Sequence, residues 1–175
     1  MMRWPPPLLL PVLLTMLMVG ACSREPPAGP GGPAPPAERW VQGEAMQVEI
    51  AGETFLLELA LDSATRHQGL SDRPVIPPDA GMLFVFPDAA ERTFVMRRCL
   101  VPIDLIYLDS EGRIISMHEM EVEPYGRSDF LLRRYPSRGP ARFVIELAEG
   151  SIRRLGLSRG EVVELELEEL KARAR

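Results

Sequence analysis

Between Met46 and Leu167 the chain is written in short runs of alternating apolar and polar residues, each closed by Gly, Pro, Asp or Ser. A period of two places successive side chains on opposite faces of an extended strand, and it cannot make the continuous stripe that a helix needs. Met46-Gln47-Val48-Glu49-Ile50 alternates, Ala51-Gly52-Glu53 turns, and residues 54–61 return as the second arm of a hairpin. Met82 to Phe86 is a compact apolar strand between Gly81 and Pro87, and residues 93–96 are a shorter candidate. Residues 103–108 and 113–119, joined by Asp109-Ser110-Glu111-Gly112, read as a second hairpin. After an irregular stretch over 124–140, residues 142–147 alternate clearly, and 162–167 read as the last strand. Two short helices are expected, at 64–69 behind Asp62 or Ser63 and at 149–155 before Gly156, while the tail from Glu168 is helical or frayed. Many short strands with few helices predict a mainly β fold, an antiparallel β-sandwich or barrel.

The first forty residues follow different rules. Arg3 precedes an apolar run over 8–19 that is too short to span a bilayer and is interrupted by Pro11; Gly20 and Ala21 then supply small residues at a cleavage site. Residues 1–21 therefore read as a signal peptide. Val19-Gly20-Ala21-Cys22 resembles the bacterial lipobox, which implies lipidation of Cys22; an ordinary signal peptide with a cysteine just past the cut is the alternative. Two or three acyl chains would anchor stably, since each buried methylene contributes about 0.8 kcal/mol. Ser23, rather than Asp, follows the cysteine, so the expected location is exported and lipid-anchored, on the outer membrane facing the periplasm. Residues 22–40 are read as anchor and tether, because the Pro/Gly-rich stretch 25–37 has nothing larger than Ala or Pro to bury. Residues 41–175, roughly 130 in number, suit one domain.

Charge narrows the partners. The formal net charge is −5 and the two signs are interspersed, so the basic stripe needed for nucleic acid is absent. The cluster Arg133, Arg134, Arg138 and Arg142 is broken by Pro136, Gly139 and Pro140 and reads as a solvated loop. With Cys22 lipidated, Cys99 has no intramolecular partner and the fold is not stapled by a disulfide.

A set of segments in fixed order resembles the family called domain of unknown function 192: Arg66-His67-Gln68-Gly69-Leu70 with Arg73, then Asp79 through Phe86, Phe94-Val95-Met96-Arg97, Pro102 through Asp109 with Gly112, Pro140 through Leu147, and Gly156-Leu157 with Gly160. The resemblance implies a jelly-roll-like sandwich, often behind an export or lipoprotein signal, and brings no established activity. Ser71, Val95, Arg98 and Cys99 stand where the family commonly has Met, Trp, Asn and Thr.

Asp104 is the most informative side chain, because an unpaired carboxylate inside an apolar run costs several kcal/mol. It either faces solvent, pairs with Arg66, Arg73, Arg97 or Arg142, or holds a buried network. A ligand-binding reading groups Arg66, Arg73, Met96, Arg97, Asp104 and Arg142 in one pocket, with Asp104 as acceptor or general base. His67 and His118 lack a short ligand spacing, so no metal and no cofactor are expected. Cys99 follows Arg97 and Arg98 but reads as an inert thiol. No nucleophile elbow, phosphate loop or other catalytic set is present in the sequence. The expectation is a cell-envelope lipoprotein domain that binds a glycan, peptide or small anion, or that serves the envelope as a structural partner. The alternative is a small hydrolase or isomerase using Asp104 with an arginine.

Overall fold

The computed structural model describes Met1 and residues 34–175; the rest of the signal peptide, Cys22 and most of the tether lie outside the described residues. Six strands form one sheet in the order β1-β2-β3-β6-β4-β5. They are β1 (Ala45–Ile50), β2 (Glu53–Ala60), β3 (Ala80–Phe94), β4 (Ile103–Leu108), β5 (Ile114–Met120) and β6 (Tyr135–Ala148). The fold is mainly β, as expected, and both hairpins form. Ala51 and Gly52 at the first turn have φ of 50° and 81°, the paired positive values of a turn that matches strand twist.

The sheet is mainly antiparallel, with one parallel pair: β2 and β3 run parallel, Leu56 opposite Ala80. Parallel neighbours need a crossover of a dozen residues or more. Here residues 61–79 make it, carrying the helix α2 (Ser63–Gln68) over one face. Asp62 caps that helix, accepting from the amides of Ala64 and Thr65 at 2.8 and 2.9 Å.

Phe84 and Phe94 lie ten residues apart on β3, a span of roughly 33 Å if the strand were straight. Their ring centroids are 5.0 Å apart. The far half of β3, with its partner in β6, therefore folds back over the sheet and makes a second layer. Register breaks between Val85 and Ala90 and between Glu91 and Thr93 permit the bend, and Pro87 sits in the first of them, where no ladder bond is required. Residues 93–96 are thus not a separate strand. Pro136 and Pro140 enter β6 because β4 pairs only with residues 143–148 of β6, so their missing N–H groups break no bond to β4.

Two cores result. Leu70, Met82, Phe84, Met96, Leu105, Tyr107 and Val144 fill the space under the crossover and the folded-back hairpin. On the other face Leu57, Leu83, Val85, Ile106, Phe143, Ile145 and Leu147 pack beneath Leu157, Val163 and Leu170. These last three belong to a segment carrying α3 (Ser151–Leu155) and α4 (Leu167–Arg173). The run 162–167 is therefore not a strand. Val162 makes an isolated bridge with Arg113, and the chain turns into α4 because the apolar face beside it needs a cover. Together with α1 (Ala37–Trp40) there are four short α-helices and one turn of 3-10 helix (Asp129–Leu131) among the described residues. Ala37 and Trp40 are buried, so the folded unit reaches into the stretch read as tether, and Trp40 Nε1 donates to the Val75 carbonyl at 2.6 Å.

Arg73 holds the crossover down. Its guanidinium meets Glu58 at 2.8 Å, donates to the Trp40 carbonyl at 2.8 Å and covers the Trp40 ring at 4.6 Å. Both partners are nearly buried, so removing one strands the other's charge. Arg73→Met is expected to cost about 3–5 kcal/mol in urea unfolding, and Glu58→Leu/Arg73→Met to recover most of that loss.

Candidate functional site

A cleft of about 550 Å³ opens between α2 and the folded-back hairpin, within the size range of small-molecule sites. α2 forms one wall because the parallel connection passes there, and β3 forms the other because it bends. Leu70, Phe84, Phe86, Phe94 and Val95 supply apolar surface. Arg66, Arg92, Arg97 and His67 supply positive and polar groups, with Glu91 and Asp129 also on the lining.

The guanidiniums are fixed. Arg66 donates to the carbonyls of Leu61, Val85 and Arg175 at 2.7–2.9 Å, which makes it a brace between α2, β3 and the C-terminus. Arg92 donates to Asp88 and lies over the Phe86 ring at 3.8 Å. Arg66 lies 5.1 Å from that ring's centroid. Arg97 donates to the His67 carbonyl, and its guanidinium lies against the His67 ring nitrogens.

Glu146 contributes to the same lining. Val144 and Glu146 share the strand face that looks into the first core, and the cross-strand neighbours of Glu146 are Met82 and Leu105. Glu146 is 5% exposed, and its Oε2 has no hydrogen-bond partner among the described residues. Burial alone pushes its carboxyl up to about 8, with no cation near enough to oppose it. At neutral pH it is therefore mostly the neutral acid. Gly69, at φ 49°, leaves open the space beside it: a Cβ there would stand 3.8 Å from Oε2 and 3.4 Å from the Phe84 ring. Cys99 lines the cleft too, but burial, then the nearby Glu146, pushes its thiol up to about 12, the value of a group that stays protonated rather than of a nucleophile.

The residues singled out in the sequence do not converge. Arg66 and Arg97 line the cleft; Arg73 lines a neighbouring cavity of about 230 Å³ that shares Gln68, Gly69 and Ser71 with it. Met96 is buried in the core. Arg142 is half-buried, its Nε without a partner among the described residues, and it lends a minor part of the lowering at Asp88 and Glu168. Asp104 alternates with Ile103 and Leu105 and so faces the opposite side of the sheet. It is fully buried, and its Oδ2 accepts from the Ile152 amide at 2.8 Å, capping α3 from another strand. Burial raises its pKa, with that amide acting the other way. None of the four arginines proposed for it is its partner. The arginine whose charge it feels is Arg153, itself paired with Glu119 at 3.3 Å. Asp104 thus has neither the access nor the arginine that a general base there would use. His118 bonds the Pro136 carbonyl at 2.8 Å between Tyr107 and Tyr135. Among the described residues no group of His, Cys, Asp and Glu is placed to hold a metal.

Sequence reasoning missed Glu146, although the signal was the one that drew attention to Asp104. Phe143, Val144, Ile145 and Leu147 make the strand apolar on both faces, so a carboxylate at 146 has no solvated side to occupy.

Residues 46–165 match the family model of domain of unknown function 192, described as an uncharacterized ACR. The chain belongs to that family. No curated protein matches this DUF192 chain. Two crystal structures resemble it. A Sinorhizobium meliloti 1021 protein described as a "putative transcription regulator" is 33% identical, with a TM-score of 0.57 over 69% of this chain and 90% of the other. A Novosphingobium aromaticivorans DSM 12444 protein of unknown function is 28% identical, with a TM-score of 0.58 over 69% and 83%. Ser71, Val95 and Cys99 also line the cleft.

A buried acid with a raised pKa keeps its stabilising neutral form below the unfolded value of 4.5, and the advantage is lost as pH rises through about 8. Between about pH 5 and 9, Glu146→Gln is expected to gain roughly 4 kcal/mol of stability relative to the wild type, at about 1.4 kcal/mol per pKa unit. Parallel urea titrations across that range measure the difference.

Proposed function

We propose that this protein is an exported envelope lipoprotein, acylated at Cys22 and held on the periplasmic face of the outer membrane, whose single domain binds a small anionic ligand without transforming it. The observation that carries the binding reading is the cleft itself: aromatic walls, fixed guanidiniums and one buried acid with unmet hydrogen-bonding capacity. Buried polar groups are nearly always paired, so an orphan at a cavity is a group held for something that enters. Arg97 is the cation best placed to receive the anion, because among the described residues its guanidinium meets only His67, whereas Arg66 and Arg92 are held by backbone carbonyls or Asp88. Phe84, Phe86 and Phe94 suit a flat apolar body.

The anchor reading rests on the order of charge, apolar run, small residues and Cys22. No helix among the described residues is long and apolar enough to cross a membrane. A second reading, docking against an envelope partner, draws on Phe130 and Leu131, which are 90% and 64% exposed beside Asp129 of the cleft.

Benzoate is the probe for the cleft. Titrated into labelled protein, it should shift amide resonances of α2 and the bent part of β3, and Arg97→Ala should weaken it about tenfold while Asp104→Asn leaves it unchanged. Shifts confined to the α3 face, or none, would count against the cleft. For the anchor, the Cys22→Ser chain should leave the membrane fraction of a Gram-negative host and accumulate in the soluble periplasm; unchanged membrane association rules the lipid anchor out.

A further inference from the structure

Resting on the cleft reading, we propose that Glu146 selects the ligand from below, its carboxyl O–H donating to an uncharged oxygen acceptor of carbonyl type on a molecule whose anionic end lies at Arg97. Three observations carry this. First, Oε2 of Glu146 is buried, lacks a partner among the described residues, and belongs to a side chain that lines the cavity. Second, the position opposite it is held by Gly69, whose absent Cβ keeps the approach to Oε2 free. Third, no cation acts on its titration, while Arg66, Arg92 and Arg97 line the same cleft together with Glu91 and Asp129.

The sign of the ligand's inner end follows from these groups. A ligand ammonium would have to form an ion pair with Glu146 in a low-dielectric pocket, where desolvating both charges offsets their attraction. A carbonyl asks for nothing of the kind. It accepts a hydrogen bond from a neutral acid that already carries the proton, and the one unmet capacity of the site is filled without creating charge. The raised pKa of Glu146 agrees with this, since burial keeps the donor form in place at neutral pH. Cys99 nearby stays a thiol and does not compete as an anion. The cleft is thereby asymmetric: a cationic mouth, aromatic sides and a donor floor. That pattern fits a small keto or amido acid with a planar body rather than an amine or a simple inorganic anion.

Three probes with one carboxylate and different far ends test it: 4-acetylbenzoate, benzoate and 4-(aminomethyl)benzoate. They are measured by calorimetry in mildly acidic buffer on wild type, Glu146→Gln and Glu146→Leu. Gln keeps the donor and removes the charge; Leu removes both at similar volume. The expected result is 4-acetylbenzoate about five- to tenfold tighter than benzoate on wild type. That preference should persist in the Gln variant and vanish in the Leu variant, with benzoate itself little changed. A preference for 4-(aminomethyl)benzoate that the Gln variant loses overturns the proposal in favour of a carboxylate that grips a cation. Equal binding of all three overturns it while leaving the cleft reading intact. Failure of the folded wild type to bind any of them removes the cleft reading as well.

Discussion

Because β2 and β3 run parallel, the chain between them has to travel back across one face of the sheet, and most of what distinguishes this domain depends on that return. The crossover sets α2 above the sheet and gives the bent half of β3 something to face. It also determines which charged residues become structural. Arg66 spends its guanidinium on three carbonyls that tie α2 to β3 and the C-terminus, and Arg73 spends its own on Glu58 and Trp40. These contacts are the counterpart of a path that carries few apolar residues: α2 has no buried side chain, so polar ties have to hold it.

Against that braced scaffold the two buried carboxylates of the sheet differ in kind. Asp104 faces one core and through Oδ2 caps α3, a five-residue helix whose own N-cap, Gly150, offers no side chain, while the Asp104 Oδ1 is buried without a partner among the described residues. Glu146 faces the other core and has nothing to cap. A neutral carboxyl left without a partner costs about 1–3 kcal/mol. In a fold of ordinary marginal stability such a cost persists where the group has a role when something is bound.

Much of the fold was legible in the residues. The alternating runs of β1, β2, β4, β5 and the second half of β6 place strands because period two is a local property, and so are the turns at Ala51-Gly52 and Asp109–Gly112. Errors occur where local preference yields to a distant neighbour. Residues 162–167 alternate like a strand, yet beyond the single bridge from Val162 to Arg113 they cover the second core instead. Pro87, Pro136 and Pro140 read as interruptions because the bend that accommodates them is made by the sheet as a whole. The candidate site was less legible. Family resemblance and charge pointed to Arg66 and Arg97, which line the cleft, but grouped them with Asp104 and Arg142, which lie elsewhere.

The sequence by itself determined that this is a mainly β chain, and that a carboxylate inside an apolar run must have a special environment. Those conclusions rest on periodicity and on the cost of burying charge, both properties of a few neighbouring residues. Only the tertiary structure decided which environment each carboxylate received. Whether a strand residue faces one core or the other changes with a single step along the chain, and what covers that face comes from elements forty or more residues away. Asp104 and Glu146 sit on adjacent, paired strands with much the same local pattern; the crossover lies above one and α3 above the other, and that difference makes the first a folding device and the second the floor of a cleft.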